Sequence, residues 1–367
     1  MAQAVNLSNH PSVFHHVALM PDCHLGYGMP IGGVIACENA IIPYAVGVDI
    51  GCGVCSVATG LRAERLTGQQ IRKLLGMLKH SVPAGEGRAH RQKQKWGELN
   101  RLPGWLNSHT RDLAYRNLGT LGGGNHFMEI QKSDQGEVWL MIHSGSRNLG
   151  YRIARYHHEI ASGICTREKN WLPDRDLAWL PSNGREGRQY LKEMNFALEY
   201  AAENRYRIMA CFKEALLSVF PSAEFCKEVN IHHNYAALEK HFGRKVWVHR
   251  KGATSAMKGQ AGIVPGSMGT PSYVVRGLGN PDSFNSCSHG AGRIMSRKAA
   301  SRTLLKNDCD RMMSGIVFDG WKKLRKKRGL DLSEAPAAYK DVEVVMESQS
   351  DLVDAVVRLH PLGVVKG

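Results

Sequence analysis

A mixed α+β chain whose chemistry sits on loops at strand ends follows from three features of the 367-residue sequence. First, short β-rich runs recur, and each closes on glycine or a polar cluster. Residues 45–48 lead into Asp49-Ile50-Gly51-Cys52-Gly53, and residues 138–142 lead into His143-Ser144-Gly145-Ser146-Arg147. Residues 246–248 lead into Arg250-Lys251-Gly252, and residues 273–275 into Arg276-Gly277. These runs predict buried strands opening into loops, where function usually sits on a rigid support. Second, residues 185–220 carry Leu191, Met194, Leu198, Ala201, Ile208, Phe212, Leu216 and Phe220 at near-helical spacing, with no proline between Pro181 and Pro221. This predicts one long helix whose apolar stripe packs into a core. Third, no stretch rich in Gly, Pro or Ser splits the chain and no 20- to 50-residue period repeats, so one domain over residues 1–367 is expected. Residues 104–120 and the tail from Leu330 read as connections and shorter elements.

The formal net charge of +15 favours a polyanionic partner, nucleic acid above all. The densest basic runs are residues 88–95 (RAHRQKQK) and 322–328 (KKLRKKR). Each alone is also what a solvated face looks like. No run of 18 apolar residues occurs, which argues against a membrane span. The first residues lack the basic and apolar regions of a secretory signal, so the expected address is the cytoplasm. Nine cysteines without such a signal suggest reduced thiols. The pair Cys52 and Cys55 has no second C-x-x-C to form a zinc ribbon and no following amphipathic helix to activate a thiol.

Glycine clusters in four segments, three of them with a histidine: Gly119-Thr120-Leu121-Gly122-Gly123-Gly124-Asn125-His126, His143-Ser144-Gly145-Ser146-Arg147, Pro265-Gly266-Ser267-Met268-Gly269 and Ser288-His289-Gly290-Ala291-Gly292-Arg293. Such loops let backbone N–H groups cradle phosphate oxygens, with serine hydroxyls and arginine forks completing the nest. The P-loop signature is missing, no G-x-G-x-x-G is complete, and the lysine-nucleophile ligase pattern Lys-x-Asp-Gly is absent because Val317 stands where its lysine would be. Asp49 and Cys52, three apart on one loop, together with His126, His143 and His233 could hold two cations with the thiolate between them. Ligand softness alone suggests zinc.

The strings Met20-Pro21-Asp22-Cys23-His24-Leu25-Gly26, Gly47-Val48-Asp49-Ile50-Gly51-Cys52-Gly53, Gly123-Gly124-Asn125-His126-Phe127 and His143-Ser144-Gly145-Ser146-Arg147 resemble the RtcB family of RNA ligases. So do His232-His233-Asn234, Arg250-Lys251-Gly252-Ala253, the glycine loops at 265–269 and 288–293, Ala338-Tyr339-Lys340-Asp341 and the terminal Val365-Lys366-Gly367. They follow the family order along nearly the whole chain. The resemblance implies an α+β fold of mixed sheets with flanking helices around a central two-metal and nucleotide cleft. It implies two Mn²⁺ ions rather than zinc, bridged by Cys52, with His126 and His143 completing one site and Asp49 and His233 the other. His289 is implied as the nucleophile that takes GMP from GTP.

The implied GTP pocket runs through Asn125, His126, Phe127, Met128 and Glu129, then His233 and Asn234, then Pro265, Gly266, Ser267, Met268 and Ser272. It closes on His289, Gly290, Ala291, Gly292, Tyr339 and Lys366, with Glu129 and Lys366 facing the guanine. Arg147, Lys251 and Arg293 are expected to contact nucleotide or RNA phosphates, and His24 is read as structural. The implied reaction joins an RNA 3′-phosphate or 2′,3′-cyclic phosphate to a 5′-hydroxyl through a histidine–GMP intermediate, in tRNA splicing or RNA repair, with archease as a possible activator. A metal-dependent phosphodiesterase and a non-catalytic RNA-binding relative are the alternatives. Relative to typical family members most of an N-terminal extension is expected to be absent, and Cys55 beside the metal loop has no role in the family pattern.

Overall fold

The fold comes from a computed structural model that describes residues 1–324 and 329–367. Its centre is a seven-stranded antiparallel sheet in the order Ala261–Val264, Ser272–Gly277, Val353–Lys366, Phe127–Ser133, Glu137–Ser144, Gly53–Arg62 and Cys226–His232. A second antiparallel sheet orders Val13–His24, Ile31–Cys37, Arg244–Lys251 and Asn234–His241. His233 alone separates the edge strand of one sheet from the edge strand of the other.

Apolar alternation explains how the layers close. One face of the large sheet (Met128, Ile130, Leu140, Ile142) packs against Leu74, Leu75 and Leu78 of the helix Gly68–Ser81 and against Ile208, Phe212 and Leu216 of the helix Arg185–Val219. Each such side chain contributes about 1.5–3 kcal/mol when buried. The two sheets meet through Val34, Ala36, Val246 and Val248 on one side and Val264, Tyr273 and Val275 on the other. No helix among the described residues is long and apolar enough to cross a membrane.

The expected long helix is present as Arg185–Val219, and three of the four expected strands stand where the runs placed them. Two expectations fail. Residues 45–48 are not a strand: Pro43 opens a single helical turn, Pro43–Val46, and Gly47 at φ +96° ends it. Proline at the first helical position presets the turn, and only glycine accepts the left-handed exit without strain. The tail from Leu330 is more than connections, because Val353–Lys366 is a 14-residue strand in the middle of the large sheet. Pro361 and Gly363 disguise it by breaking the apolar alternation, and the pairing register shifts at that point.

Two adjacent residues on the long helix tie these parts together. Arg205, fully buried, donates to the carbonyls of Gly51 (2.8 Å) and Ser144 (3.0 Å) and to Asn230 Oδ1 (2.7 Å). Asn204 accepts from the N–H groups of Gly119 (2.8 Å) and Thr120 (3.0 Å) and donates to Ser144 Oγ (2.9 Å). Replacing Arg205 by methionine strands those buried acceptors, and hydrogen bonds to a charged group contribute about 1.5–3 kcal/mol each. The expected loss of unfolding free energy for Arg205→Met is therefore ~3 kcal/mol or more, read from the urea midpoint at unchanged slope.

Candidate active site

Four chain segments deliver the donor atoms. Cys52 lies on the turn between the helical turn at 43–46 and the strand Gly53–Arg62, and its backbone carbonyl accepts from His233 N–H at 2.9 Å. His143 ends the neighbouring strand, paired with Val54 on one side and Phe127 on the other. His126 precedes the strand Phe127–Ser133, and its Nδ1 lies 3.0 Å from the Leu121 carbonyl. A carbonyl can only accept, so Nδ1 carries the hydrogen and Nε2 turns its lone pair inward. The Arg147 guanidinium also reaches this Nδ1, at 2.9 Å.

The inward atoms converge. Cys52 Sγ is 3.3 Å from His126 Nε2 and 3.2 Å from His143 Nε2, His143 Nε2 is 3.4 Å from His233 Nε2, and Asp49 Oδ2 is 3.3 Å from His126 Nε2. Ligand atoms lying within 4.8 Å of one another form two sets, Asp49–Cys52–His126 and Cys52–His143–His233. Cys52 belongs to both, but the division differs from the one implied by the resemblance, which puts His143 with His126 and His233 with Asp49. A thiol, a carboxylate and three imidazoles crowded in this way suit divalent cations of the first transition row.

Electrostatics agree with a cation. Burial lowers the imidazoles of His126, His143 and His233 and so favours the neutral form that a ligand must have. Burial works to raise the Asp49 carboxyl, but the polar groups around it, the Arg147 charge among them, outweigh it and lower the group. Burial, with Asp49 alongside, pushes the Cys52 thiol far up, so a cation entering here would displace its proton.

His289 follows the short strand Ser286–Ser288, and its ring centroid is 4.8 Å from that of His233. Asp22, wholly buried, takes both the His289 N–H (3.0 Å) and the ring Nδ1–H (2.6 Å) on one carboxylate oxygen. That contact assigns the hydrogen to Nδ1 and leaves Nε2 as a free lone pair. Lys340 fixes the strand on either side of Asp22 by donating to the carbonyls of Pro21 and Cys23, both at 2.8 Å. Gly292, at φ +74°, lets the following loop lie against Asp22, where any Cβ would meet the Asp22 carbonyl.

A cleft with about 770 Å³ of free space, part of it open to solvent, opens from His289. Asn125, Phe127, Glu129, Pro265, Gly266, Ser267, Met268, Gly290, Ala291, Gly292, Tyr339 and Lys366 line it as expected, and so do His24, read from sequence as structural, and Arg293. Met128 is a correction. Strand alternation turns its side chain to the opposite face, into the core with Ile130 and Leu140. Asn234 and Ser272 support the cleft from behind: Asn234 donates to the Asp49 carbonyl and accepts from Gly252 N–H, and Ser272 Oγ accepts from Gly266 N–H. Lys251 is buried, its Nζ held by the Tyr27 carbonyl at 2.5 Å, and burial lowers it to about 7.

The sequence reading missed Asp22 as a partner of His289, and it missed Glu334 and Arg297. Glu334 sits among Arg293, Arg297, Lys366 and the Tyr339 hydroxyl. Burial opposes its ionisation, but Lys366, Arg297 and Tyr339 win and hold it near 2. Three cations against one carboxylate leave this wall of the cleft positive, as an anion requires. No spacing rule links these positions; only the fold brings them together.

Glu129 is buried on the cleft floor beside Gln131, whose Nε2 donates to it at 2.5 Å. Burial raises its carboxyl from 4.5 to about 8, against the pull of Gln131 and Lys366. The folded chain therefore binds a proton that the unfolded chain has released between about pH 4.5 and 8, so this group makes stability fall as pH rises through that window. Glu129→Gln should flatten that part of the stability–pH curve, measured by urea unfolding in ligand-free protein.

Comparisons with known proteins converge on one group. The family model described as "tRNA-splicing ligase RtcB" matches residues 3–102 and 97–367. The RNA-splicing ligase RtcB of Escherichia coli strain K12 is 41% identical over 388 aligned residues, covering 100% of this chain and 93% of the relative. The tRNA-splicing ligases RtcB of Thermococcus kodakarensis and Pyrobaculum aerophilum are 32% and 33% identical, each over 100% of this chain and 91% of their own length. With its whole length matched and its donor cluster and histidine cleft in place, the chain belongs to the RtcB ligase family.

Proposed function

We propose that this chain is a GTP- and Mn²⁺-dependent ligase that joins RNA ends bearing a 3′-phosphate or 2′,3′-cyclic phosphate to 5′-hydroxyl ends. The observation that carries this reading is the pairing of His289 with Asp22 at the mouth of the donor cluster. An imidazole whose Nδ1–H is tied to a carboxylate presents Nε2 as a nucleophile and gains stabilisation as it becomes cationic.

His289 Nε2 attacks the α-phosphorus of GTP, a P–N bond forms, and the bond to pyrophosphate breaks. The activated GMP passes to an RNA 3′-phosphate oxygen as the P–N bond breaks and His289 is released. Where the RNA ends in a cyclic phosphate, water opens it first. The 5′-hydroxyl of the second RNA then attacks the activated phosphorus, and GMP leaves. Two divalent cations on Asp49, Cys52, His126, His143 and His233 would supply neutralisation of phosphate charge. Arg293 offers positive charge to the nucleotide's phosphates, and Lys366 faces the guanine carbonyl. Ionised Glu129 accepts the guanine N–H groups, with Lys366 above the Phe127 ring at 5.4 Å. The relatives' names point to tRNA splicing as the setting, and repair of broken RNA uses the same ends; archease is a candidate activator.

Incubation with α-labelled GTP and Mn²⁺ should leave an acid-labile, alkali-stable label on His289, absent in His289→Ala. Asp22→Asn should keep the metal and slow labelling by about a hundredfold or more, as when an orienting carboxylate is lost from an imidazole. A protein that cleaves phosphodiesters with Mn²⁺ but never takes the label would be the hydrolase instead.

Cys52→Ala removes the donor shared by both ligand sets. Manganese content of the purified variant, measured by elemental analysis, should fall below half of the parent value. Undiminished metal would refute the bridging role.

A further inference from the structure

The basic run at residues 88–95, ambiguous in sequence, has a definite place in the fold. Residues 83–95 form a strap without helix or strand that is nonetheless pinned along its length. The Pro83 carbonyl accepts from Leu121 N–H (3.0 Å), Gly85 N–H donates to the Gly122 carbonyl (2.8 Å), and His90 N–H to the Arg116 carbonyl (3.0 Å). Gln94 N–H reaches the Tyr115 carbonyl (3.1 Å), and Arg207 grips the Lys95 carbonyl (2.7 Å). The loop that receives the strap's first bonds is the one whose Leu121 carbonyl orients His126. Across Gly122 the same loop meets the Arg147 guanidinium. The strap is thus bonded to the loop that carries His126, with Arg147 against that loop at Gly122 and Glu86 of the strap against it at Gly123.

The strap's own charges are free to act. Arg88, Arg91 and Lys95 are exposed and make no ion pair among the described residues. The nearby acids are otherwise engaged, Asp112 with Lys93 and Arg116, Glu203 with Arg207, leaving Glu86 as the strap's one carboxylate. The run contains no Phe, Tyr or Trp to stack a base. Cations alone on a fixed backbone read phosphates, not sequence.

We propose that residues 85–95 are the track that holds the sugar–phosphate backbone of the RNA strand whose end enters the cleft. This rests on the ligase reading and adds where the strand lies and that its capture there is independent of sequence. The triple variant Arg88→Gln/Arg91→Gln/Lys95→Gln tests it, with a labelled single-stranded RNA of about 20 nucleotides ending in a 3′-phosphate. Each lost phosphate contact lowers the log–log salt slope by ~0.7, so the slope should drop by about 2 and Kd should rise by about tenfold or more near 0.1 M salt. In ligation, KM for RNA should rise with kcat little changed, and labelling of His289 by GTP alone should be unaffected.

A matched control removes the same charge at the far end of the second sheet, Lys240→Gln/Arg244→Gln/Lys245→Gln. These residues stand at the tip of the hairpin Asn234–His241/Arg244–Lys251, on the order of 20 Å from its active-site end. This control should leave Kd within about twofold. Unchanged affinity and slope in the strap variant, an equal loss in the control, or no measurable RNA affinity in the parent protein would each overturn the track. Failure of the parent to take label from GTP would instead sink the ligase reading, while the binding comparison would still decide the strap.

Discussion

Every loop that brings a donor atom to the cleft hangs from residues 204 and 205 of the long helix. Arg205 holds Gly51, beside Cys52, and Ser144, beside His143; its Nη2 lies 3.0 Å from the ring of His232, beside His233. Asn204 holds Gly119 and Thr120, at the start of the loop that carries His126. Neither side chain points into the cleft. Both replace the water that carbonyls and N–H groups at strand ends would otherwise need, and so allow four loops to end in a dry interior. Burial of Arg205 is costly enough to pull its guanidinium down to about 10, and the bonds it makes to three strand ends are what offset that cost.

That scaffold creates an arrangement that is unfavourable by itself. Neutral imidazole lone pairs from His126 and His143 face the same sulfur at 3.2–3.3 Å, and the buried His233 Nδ1 has no hydrogen-bond partner. Protons cannot satisfy this set, because burial opposes every cationic imidazole in it. Divalent cations can, since they take several lone pairs at once and ionise the thiol. A metal bound at this candidate cluster would couple its affinity to folding.

Most of the chemistry was legible in residue types, and most of the support was not. Asp49, Cys52, His126, His143 and His233 are residue types that can hold a metal, and the fold gathers all five. Asp22 could not be seen as the partner of His289, because 267 positions separate them and each half of the pair is locally ordinary. Glu334 was hidden for the same reason. Met128 is the opposite case. Strand alternation between Phe127 and Glu129 already says that it faces away, and a strict period-two reading finds it in the sequence. The missed strand Val353–Lys366 shows the limit of that reading, since Pro361 and Gly363 break the pattern at a bulge that only its neighbours reveal.

The cleft is also polar, lined by groups of both signs. On its floor lies Glu129, a buried acid that burial raises to about 8. His143 of the donor cluster and His289 line it too. Around Glu334, Arg293, Arg297 and Lys366 outnumber the one carboxylate. A polyanion placed with its charge toward Glu129 would face the one carboxyl on the floor. Turned the other way, its phosphates meet positive charge and any metal, and its uncharged end meets a carboxyl able to accept hydrogen bonds once its proton has left. Lys366 touches both regimes: its Nζ is 3.5 Å from Glu334, and its charge favours the ionised form of Glu129. Binding a base with two adjacent N–H donors at Glu129 would therefore draw off the proton that burial retains, and the cost of ionising that acid is met only by a base that offers both.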